Sequence, residues 1–261
     1  MVTAILPFTL MTIAAPLLAW FDAHARRLPW RGSIDPYTVL VSEVMLQQTR
    51  VETVIPYFEH WMKRFPTVAS LAEAPLQDVL TAWEGLGYYS RARNLQRAAQ
   101  MIMGEFHGKI PTDLLSLRRL PGVGRYTAGA VASIAFGLPA PTLDGNIRRV
   151  LSRVFDVSED ARSPVGERRL WSLAAGQLPA DRPGDYNQAL MDLGATICTP
   201  QAPDCLACPL AALCQARALG IQTERPVLAP RPVPPRITVA AAIIQRDGLV
   251  LIAQRPPYGL L

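Results

Sequence analysis

Two features near the middle of the chain have the residue types and spacing for binding and chemistry. A glycine turn, Leu120–Gly124, precedes a predicted helix. The backbone N–H groups of Gly122, Val123 and Gly124 suit a phosphate at such a helix N-terminus. Asp144 then stands at the N-cap position of the next amphipathic helix. Each feature alone is more often an ordinary turn or cap, but together they predict a phosphate clamp and a catalytic carboxylate.

A second candidate acid lies earlier in the chain. Asp35 and Pro36 supply the N-cap and first residue of a predicted helix, on which Glu43 adjoins an apolar face. Such a carboxylate is normally tilted to solvent, yet a desolvated one has a raised pKa and can donate a proton near neutral pH. The histidines lie outside every motif, which favours carboxylates for acid–base chemistry. They are His24, His60 and His107.

All four cysteines lie close together, separated by six, two and five residues: Cys198, Cys205, Cys208 and Cys214. Disulfides are not expected in a chain without a secretory signature. Four thiolates suit either zinc or a cubane cluster. Zinc sites usually combine two Cys-x-x-Cys pairs, whereas one such pair flanked by single cysteines favours an iron–sulfur cluster. We therefore expect a 4Fe–4S cluster, with zinc as the alternative.

Composition and periodicity bound the fold. Half of the 261 residues are apolar, and no strand pattern occurs before residue 237, so the body is predicted to be all-α. The net charge is +5 and the pI about 9.3, which is compatible with nucleic acid binding without requiring it. Only Lys63 and Lys109 are lysines, and the other cationic residues are arginines, which suit bidentate phosphate contacts.

The two ends of the chain differ from its body. Residues 1–21 carry no charged side chain, so a signal peptide or membrane anchor is the alternative there. Because Pro7 and Pro16 interrupt this stretch, we expect an irregular lead into a core helix. A stiff proline-rich linker is predicted at 226–236. Strands are predicted at 237–244 and 249–253 around a turn at residues 246–248.

Several motifs resemble those of known DNA repair enzymes. LPGVGRYTA followed by LDGNIRRVL resembles the helix-hairpin-helix and Gly/Pro–Asp region of the base-excision DNA glycosylase superfamily. SEVMLQQTRVETVIPYF and WEGLGYYSRARNL resemble the adenine DNA glycosylase, or MutY, family. The cysteine spacing is similar to the 4Fe–4S loop of endonuclease III and MutY relatives. The resemblance covers roughly residues 17–225.

The resemblance implies an all-α, two-lobed helix-hairpin-helix DNA glycosylase fold with a 4Fe–4S loop. Residues 32–145 would form a six-helix domain containing the hairpin. Residues 1–31 and 146–225 would form the cluster domain, and 226–236 the linker. Residues 237–261 would be a truncated β start of a Nudix-like domain, as in a natural truncation or a partial chain. We expect base removal to survive this truncation while lesion discrimination and affinity fall.

The resemblance also implies residue roles. Glu43 would be the general acid, Asp144 would stabilise an oxocarbenium-like sugar, and Asn146 and Tyr126 would assist Asp144. Further residues would contact the displaced base, its gap in the duplex or the DNA backbone. Those for the base and the gap are Trp30, Arg31, Gln48, Leu86, Tyr88 and Gln188, and those for the backbone are Gly122, Val123, Gly124 and Arg91. The alternatives without a role in DNA binding are that Trp30 packs in the core and that the arginines form a solvated stripe on a helix.

Tyr126 occupies the position where bifunctional relatives have a Schiff-base lysine, so a monofunctional glycosylase is expected. The implied partner is double-stranded DNA with adenine opposite 8-oxoguanine or guanine. We expect a monomer of the bacterial cytoplasm, associated with the nucleoid and not with a membrane. The alternatives are a thymine or oxidised-pyrimidine glycosylase on the same scaffold, and a DNA-binding helix-hairpin-helix protein without catalysis.

Overall fold

A computed structural model describes residues 12–230, 235–236, 238 and 242–252. Within them the helices are α1 (Ala14–His24), α2 (Pro36–Leu46), α3 (Val51–Arg64), α4 (Val68–Glu73), α5 (Leu76–Ala82), α6 (Ser90–Glu105), α7 (Leu114–Arg119), α8 (Arg125–Phe136), α9 (Gly145–Val154), α10 (Pro164–Gly176), α11 (Pro183–Thr196) and α12 (Gln215–Leu219). A short 3-10 helix spans Gln222–Glu224, and the strands are β1 (Gln245–Arg246) and β2 (Leu249–Val250).

The chain divides into two compact units, Met1–Leu228 and Ala229–Leu261. The first unit contains two apolar cores. Helices α2 to α8 surround one core, which includes the fully buried Trp61 and Trp83. Helices α1, α9, α10 and α11 surround the other. The predicted all-α body is confirmed for the described residues, because their only strands lie in the second unit.

Three helices begin where their capping residues predict. The side chain of Asp35 accepts hydrogen bonds from the N–H groups of Tyr37 and Thr38 at the start of α2. Ser163 caps α10, and Asp144 caps α9. These caps satisfy N–H groups that have no partner within the helix. At α9 the cap also fixes the carboxylate at the boundary between the two cores.

The sequence suggests that Gly194 caps the end of the helix that carries Gln188, and this expectation is wrong. Helix α11 runs to Thr196, so Gly194 lies inside the helix and does not cap it. A Cβ atom at position 194 would lie 2.6 Å from Cβ of Asn146. Gly194 therefore lets α11 pack closely against the first turn of α9, the turn that Asp144 begins.

Helix α1 is the core helix expected after the uncharged stretch, and Leu17, Leu18 and Phe21 are buried. Residues 1–11, on which the choice between an irregular lead and an anchor depends, lie outside the described residues. No helix in the described part of the chain has both the length and the apolar character to cross a membrane.

The predicted hairpin turn is confirmed in the second unit, but its strands are shorter than expected. Gln245 pairs with Val250 and Arg246 with Leu249 in antiparallel register. The described residues at 242–244, 251 and 252 are not in strands, while 237, 239–241 and 253 lie outside the described part. All described side chains of this hairpin are exposed, as expected for two strands without a layer to pack against.

The first residues of the predicted linker pack on the helical unit. The backbone O of Val227 accepts a hydrogen bond from the N–H of Ala161 at 2.9 Å, so the linker's first residues pack on the first unit. Residues 231–234 of the linker lie outside the described residues.

Candidate active site

A groove of about 700 Å³ lies where the two cores of the first unit meet. It is lined by Glu43 from α2, Tyr126 from α8, and Asp144 and Asn146 from the start of α9. The structure thus brings together the four residues that the sequence suggested for catalysis. Because the two acids come from separate cores, their juxtaposition depends on how α2 and α8 pack against α9 and α11.

Glu43 is a buried acid, with 5% of its surface exposed. Burial raises its pKa from 4.5 to about 7, and the nearby negative charge of Asp144 acts in the same direction. A hydrogen bond from Tyr126 and the positive charge of Arg31 both lower this pKa. Glu43 Oε2 has no partner among the described residues. The group can therefore hold and donate a proton at neutral pH.

Asp144 has a different environment. Its Oδ1 accepts the N–H of Ile147 at 2.7 Å, and Arg149 lies close enough to act on its charge. Burial raises the pKa of Asp144, whereas the backbone N–H groups of Ile147 and Asn146 lower it. Desolvation is the larger of these opposing effects on the pKa of Asp144.

The two assisting residues link the acids to neighbouring helices. The Tyr126 hydroxyl donates to Sδ of Met191 at 3.5 Å. Burial and then the negative charges of Glu43 and Asp144 raise the pKa of Tyr126, so the hydroxyl lies near both acids. Asn146 Oδ1 accepts a hydrogen bond from Arg149 Nη2 at 2.8 Å, which fixes the first turn of α9.

A smaller pocket also has Glu43 in its wall. Trp30, Arg31 and Gln188 line it, so the structure brings these predicted base-contacting residues together with the acid. Trp30 packs edge-on against Phe58 with ring centroids 5.2 Å apart. Trp30 is therefore a core residue and a pocket wall at once.

The residues predicted to lie in or beside the gap in the duplex have different environments in the structure. Gln48 lines the groove, and Tyr88 is 62% exposed. Both have positive φ, at 57° and 45°, a backbone conformation that non-glycine residues seldom adopt. Leu86, in contrast, is 5% exposed and packs in the first core, so its assignment beside the displaced base is corrected. Two strained turns remain as candidates for contacting a distorted duplex.

The assignment of Arg91 to a DNA phosphate is also corrected, because the residue is only 7% exposed. Its Nη1 donates to the backbone O atoms of Val44, Met45 and Gln47. Its Nη2 donates to the backbone O atoms of Leu86 and Gly87 and to Thr49 Oγ1. Arg91 thus ties the turn of Gln48 to the turn of Tyr88 from inside the first core.

The glycine turn matches its prediction in part. Gly122 has φ of 80°, and Gly124 is the N-cap residue of α8 with an ordinary φ of −83°. Val123 is buried and its N–H donates to the backbone O of Leu120, so this N–H is not available to a phosphate. Among the three predicted donors, Gly122 and Gly124 are the two that remain candidates.

Sequence reasoning missed three residues beside the site. Arg149 donates to Asn146, to Gly194 O at 2.7 Å and to Cys198 O at 2.7 Å. Arg26 and the fully buried Asp192 form an ion pair at 2.6 Å. A signal for Asp192 was present, because a single acid in the apolar stretch of α11 lies one helical turn after Gln188.

The four cysteines line one pocket beside α9 and the end of α11. Each is a free thiol, and Arg153 Nη1 donates to Cys198 Sγ at 3.3 Å. As positioned in the described residues, no group of three or more His, Cys, Asp or Glu meets the geometry for holding a metal ion. All four thiols nevertheless border one pocket, and four thiolates are the donor set that an iron–sulfur cluster takes.

Comparison with known proteins identifies the family. Residues 41–175 match the family described as HhH-GPD superfamily base excision DNA repair protein, and the match covers both acids and the glycine turn. The chain belongs to this superfamily.

Within that class, the curated relatives point to one specificity. The chain is 50% identical over 210 residues to the adenine DNA glycosylase of Homo sapiens, covering 77% of this chain and 38% of that protein. It is 41% identical over 209 residues to the adenine DNA glycosylase of Buchnera aphidicola (subsp. Schizaphis graminum), covering 80% of this chain and 60% of that protein. The chain thus spans less than two thirds of the length of these relatives.

Solved structures with the same fold include glycosylases of other specificities. A thermostable thymine-DNA glycosylase has a TM-score of 0.73 and 28% identity, with 79% of this chain and 95% of that chain covered. An endonuclease III–DNA complex has a TM-score of 0.63 and 25% identity, with 79% and 94% covered. The expected endonuclease III-like fold is therefore confirmed.

Proposed function

We propose that this chain removes adenine from DNA by hydrolysis of the N-glycosidic bond, as part of base excision repair. The observation that carries the proposal is the buried Glu43, with a pKa raised to about 7 by burial, in one groove with Asp144. Similarity to proteins named adenine DNA glycosylase supports adenine as the base. The proposed substrates are duplexes with adenine opposite 8-oxoguanine or guanine.

The proposed mechanism assigns one step to each acid. The deoxyadenosine nucleotide leaves the base stack, and Glu43 donates its proton to N7 of the base. The base then departs as a neutral leaving group, and its bond to the sugar breaks. The Asp144 carboxylate stabilises the oxocarbenium-like sugar until water adds to it. Tyr126 and Asn146 orient the two acids.

The proposed base pocket is lined by Trp30, Arg31 and Gln188, which adjoin Glu43. Gln48 and Tyr88 would enter or border the gap left in the duplex, since both stand on strained turns and Gln48 lines the groove. Gly122 and Gly124 would approach a phosphate at the N-terminus of α8.

We propose a monofunctional enzyme with little strand cleavage. Strand cleavage by Schiff-base chemistry needs an amine nucleophile near the sugar. Tyr126 occupies the position beside Glu43, and the side chains of Lys63 and Lys109 are exposed and do not line the groove. Efficient borohydride trapping of a covalent adduct with product DNA would reject this assignment.

We propose that Cys198, Cys205, Cys208 and Cys214 hold a 4Fe–4S cluster. The cluster would tie the loop after α11 to the second core, and Arg153 would offset part of its negative charge. Iron and acid-labile sulfide analysis of the purified protein tests the assignment. About four irons and four sulfides per chain are expected, whereas stoichiometric zinc without iron would reject it.

The proposed domains are residues 32–145 and, separately, 1–31 with 146–225, followed by the linker and the start of a Nudix-like domain. This division is supported by the two apolar cores, whose buried residues fall mostly on either side of those boundaries. A monomer acting at the nucleoid in a bacterial cytoplasm is the proposed working form, and its partner is double-stranded DNA.

A substrate comparison tests the proposed specificity. The protein is incubated in excess over three duplexes, which contain A opposite 8-oxoguanine, T opposite G, or thymine glycol, and the released base is quantified. We expect adenine release alone. Thymine release would favour the second candidate, a thymine glycosylase, for which the fold similarity at a TM-score of 0.73 is the specific observation. Binding without release of any base would favour a non-catalytic DNA-binding protein.

A further inference from the structure

Asp192 is a fully buried carboxylate that the proposed mechanism does not use. It lies on α11 and accepts hydrogen bonds from two arginine side chains. Its Oδ1 accepts Nε and Nη2 of Arg26 at 2.9 and 2.6 Å, and Nη2 of Arg31 at 3.1 Å. Its Oδ2 accepts the backbone N–H of Arg26 and Nη1 of Arg31, both at 3.2 Å. One acid therefore holds two guanidinium groups.

The two arginines are held in different ways. Asp192 binds Arg31 through its two terminal nitrogens, and Arg31 Nε remains buried without a partner among the described residues. The Arg31 guanidinium also lies 5.2 Å from the ring centre of Phe21. Both arginines line the pocket that contains Glu43. The hydrogen bonds to Asp192 thus leave Arg31 Nε–H as the donor that a ligand could bind.

We propose that Asp192 is a positioning residue for the base pocket: it fixes Arg26 and Arg31 so that Arg31 Nε–H is available to the base, and it offsets one of the two positive charges near Glu43. This inference rests on the proposed function, because the pocket must receive a base next to the acid. Without Asp192, the two like-charged groups would repel each other and leave this geometry.

The charge balance has a direct consequence for Glu43. The positive charge of Arg31 lowers the pKa of Glu43, while Asp144 raises it. The charged and titratable groups around the acid, from every neighbouring element, are Arg26, Arg31, Arg50, Glu52, Tyr126, Asp144 and Asp192. Neutralising Asp192 leaves two unbalanced arginines and lowers the pKa of Glu43. Neutralising Arg26 leaves one arginine balanced by Asp192 and raises it.

The test is the pH dependence of single-turnover adenine release from a duplex with A opposite 8-oxoguanine. In Asp192→Asn we expect the rate to fall by about tenfold or more at pH 8, and its decline with pH to begin about half a pH unit or more lower than in the wild type. In Arg26→Gln we expect the decline to begin at higher pH. A merely structural role lowers the rate without moving the pH dependence.

The matched control is Asp156→Asn, the same change in another partly buried acid bound to an arginine, Arg225, at 2.7 Å and away from the groove. It is expected to keep the wild-type pH dependence. A folded Asp192→Asn with an unmoved pH dependence overturns the inference. If that variant does not fold, an unmoved pH dependence in Arg26→Gln overturns it instead. If the wild type releases no adenine, the proposed function is rejected and the inference falls with it.

Discussion

Glu43 and Asp144 border the same groove, yet their local structures differ. Glu43 projects from the middle of α2, where no backbone N–H is free to bind it, and burial raises its pKa to about 7. Asp144 stands at the beginning of α9, where the N–H of Ile147 donates to its carboxylate. A helix interior therefore favours a protonated acid, and a helix N-terminus opposes the same effect of burial. This contrast supports the proposed roles, proton donation by Glu43 and charge stabilisation by Asp144.

The largest effect is expected from Asp144→Asn. Asparagine caps a helix about as well as aspartate, so thermal stability should change little. The single-turnover rate of adenine release should fall by about a thousandfold or more, because the negative charge beside the developing sugar cation is lost. A folded variant that retains a rate within tenfold of the wild type would show that the Asp144 region has no special role.

A smaller effect is expected from Gly194→Ala, which alters the Asp144 region without touching Glu43. The new Cβ would lie 2.6 Å from Cβ of Asn146 and 3.1 Å from its Cα, so the first turn of α9 must move. We expect a rate loss of about tenfold, since small misplacements of reacting groups are costly. The pH at which the rate begins to decline should stay unchanged.

The matched control for this variant is Gly176→Ala, at the end of α10, where an added Cβ meets nothing within 4 Å. Its rate and stability should equal those of the wild type. Equal rate losses in the two variants would remove the argument that Gly194 positions Asp144.

A further effect is expected on the stability of the protein and not on the rate, at the Glu43 site. In the folded protein Glu43 holds its proton up to about pH 7, whereas the unfolded chain releases it near pH 4.5. The stability that Glu43 contributes is thus present below pH 4.5 and is lost as pH rises through 7, by about 3 kcal/mol. Glu43→Gln lacks this titration, so its stability relative to the wild type should rise by a similar amount between pH 4.5 and 8.

Urea unfolding of the wild type and Glu43→Gln at both pH values measures this difference. Glu59→Gln, which changes an exposed acid on α3, is the control and should show no such relative gain. A pH-independent difference between wild type and Glu43→Gln would mean that the acid is not desolvated.

Much of the site was predictable because its chemistry lies in short motifs. Asp144 caps its helix as the sequence predicts, and the apolar neighbours of Glu43 indicated a raised pKa as one of two possibilities, the one that its burial in the structure supports. The cysteine spacing likewise predicted that four thiols would share one loop, and they line one pocket. For the Asp144 cap and the cysteine loop, the decisive partners are close in sequence.

The errors concern side chains whose partners are distant in sequence. Arg91 looks like a surface arginine, but its guanidinium is enclosed by carbonyl groups from residues more than forty positions earlier. Leu86 stands in a glycine-rich loop and is buried by tertiary packing. Asp192 forms its two ion pairs only when Arg26 and Arg31 fold against α11. Local patterns carry no information about such contacts.

The pH dependence of single-turnover adenine release tests the central contrast most directly. With A opposite 8-oxoguanine, the wild-type rate should be constant at low pH and fall about tenfold per pH unit above a value near 7, as the Glu43 proton is lost. Glu43→Gln should be at least about a hundredfold slower and show no such decline. A wild-type rate that rises through pH 7, or a Glu43→Gln variant that keeps the wild-type rate and decline, would contradict the account.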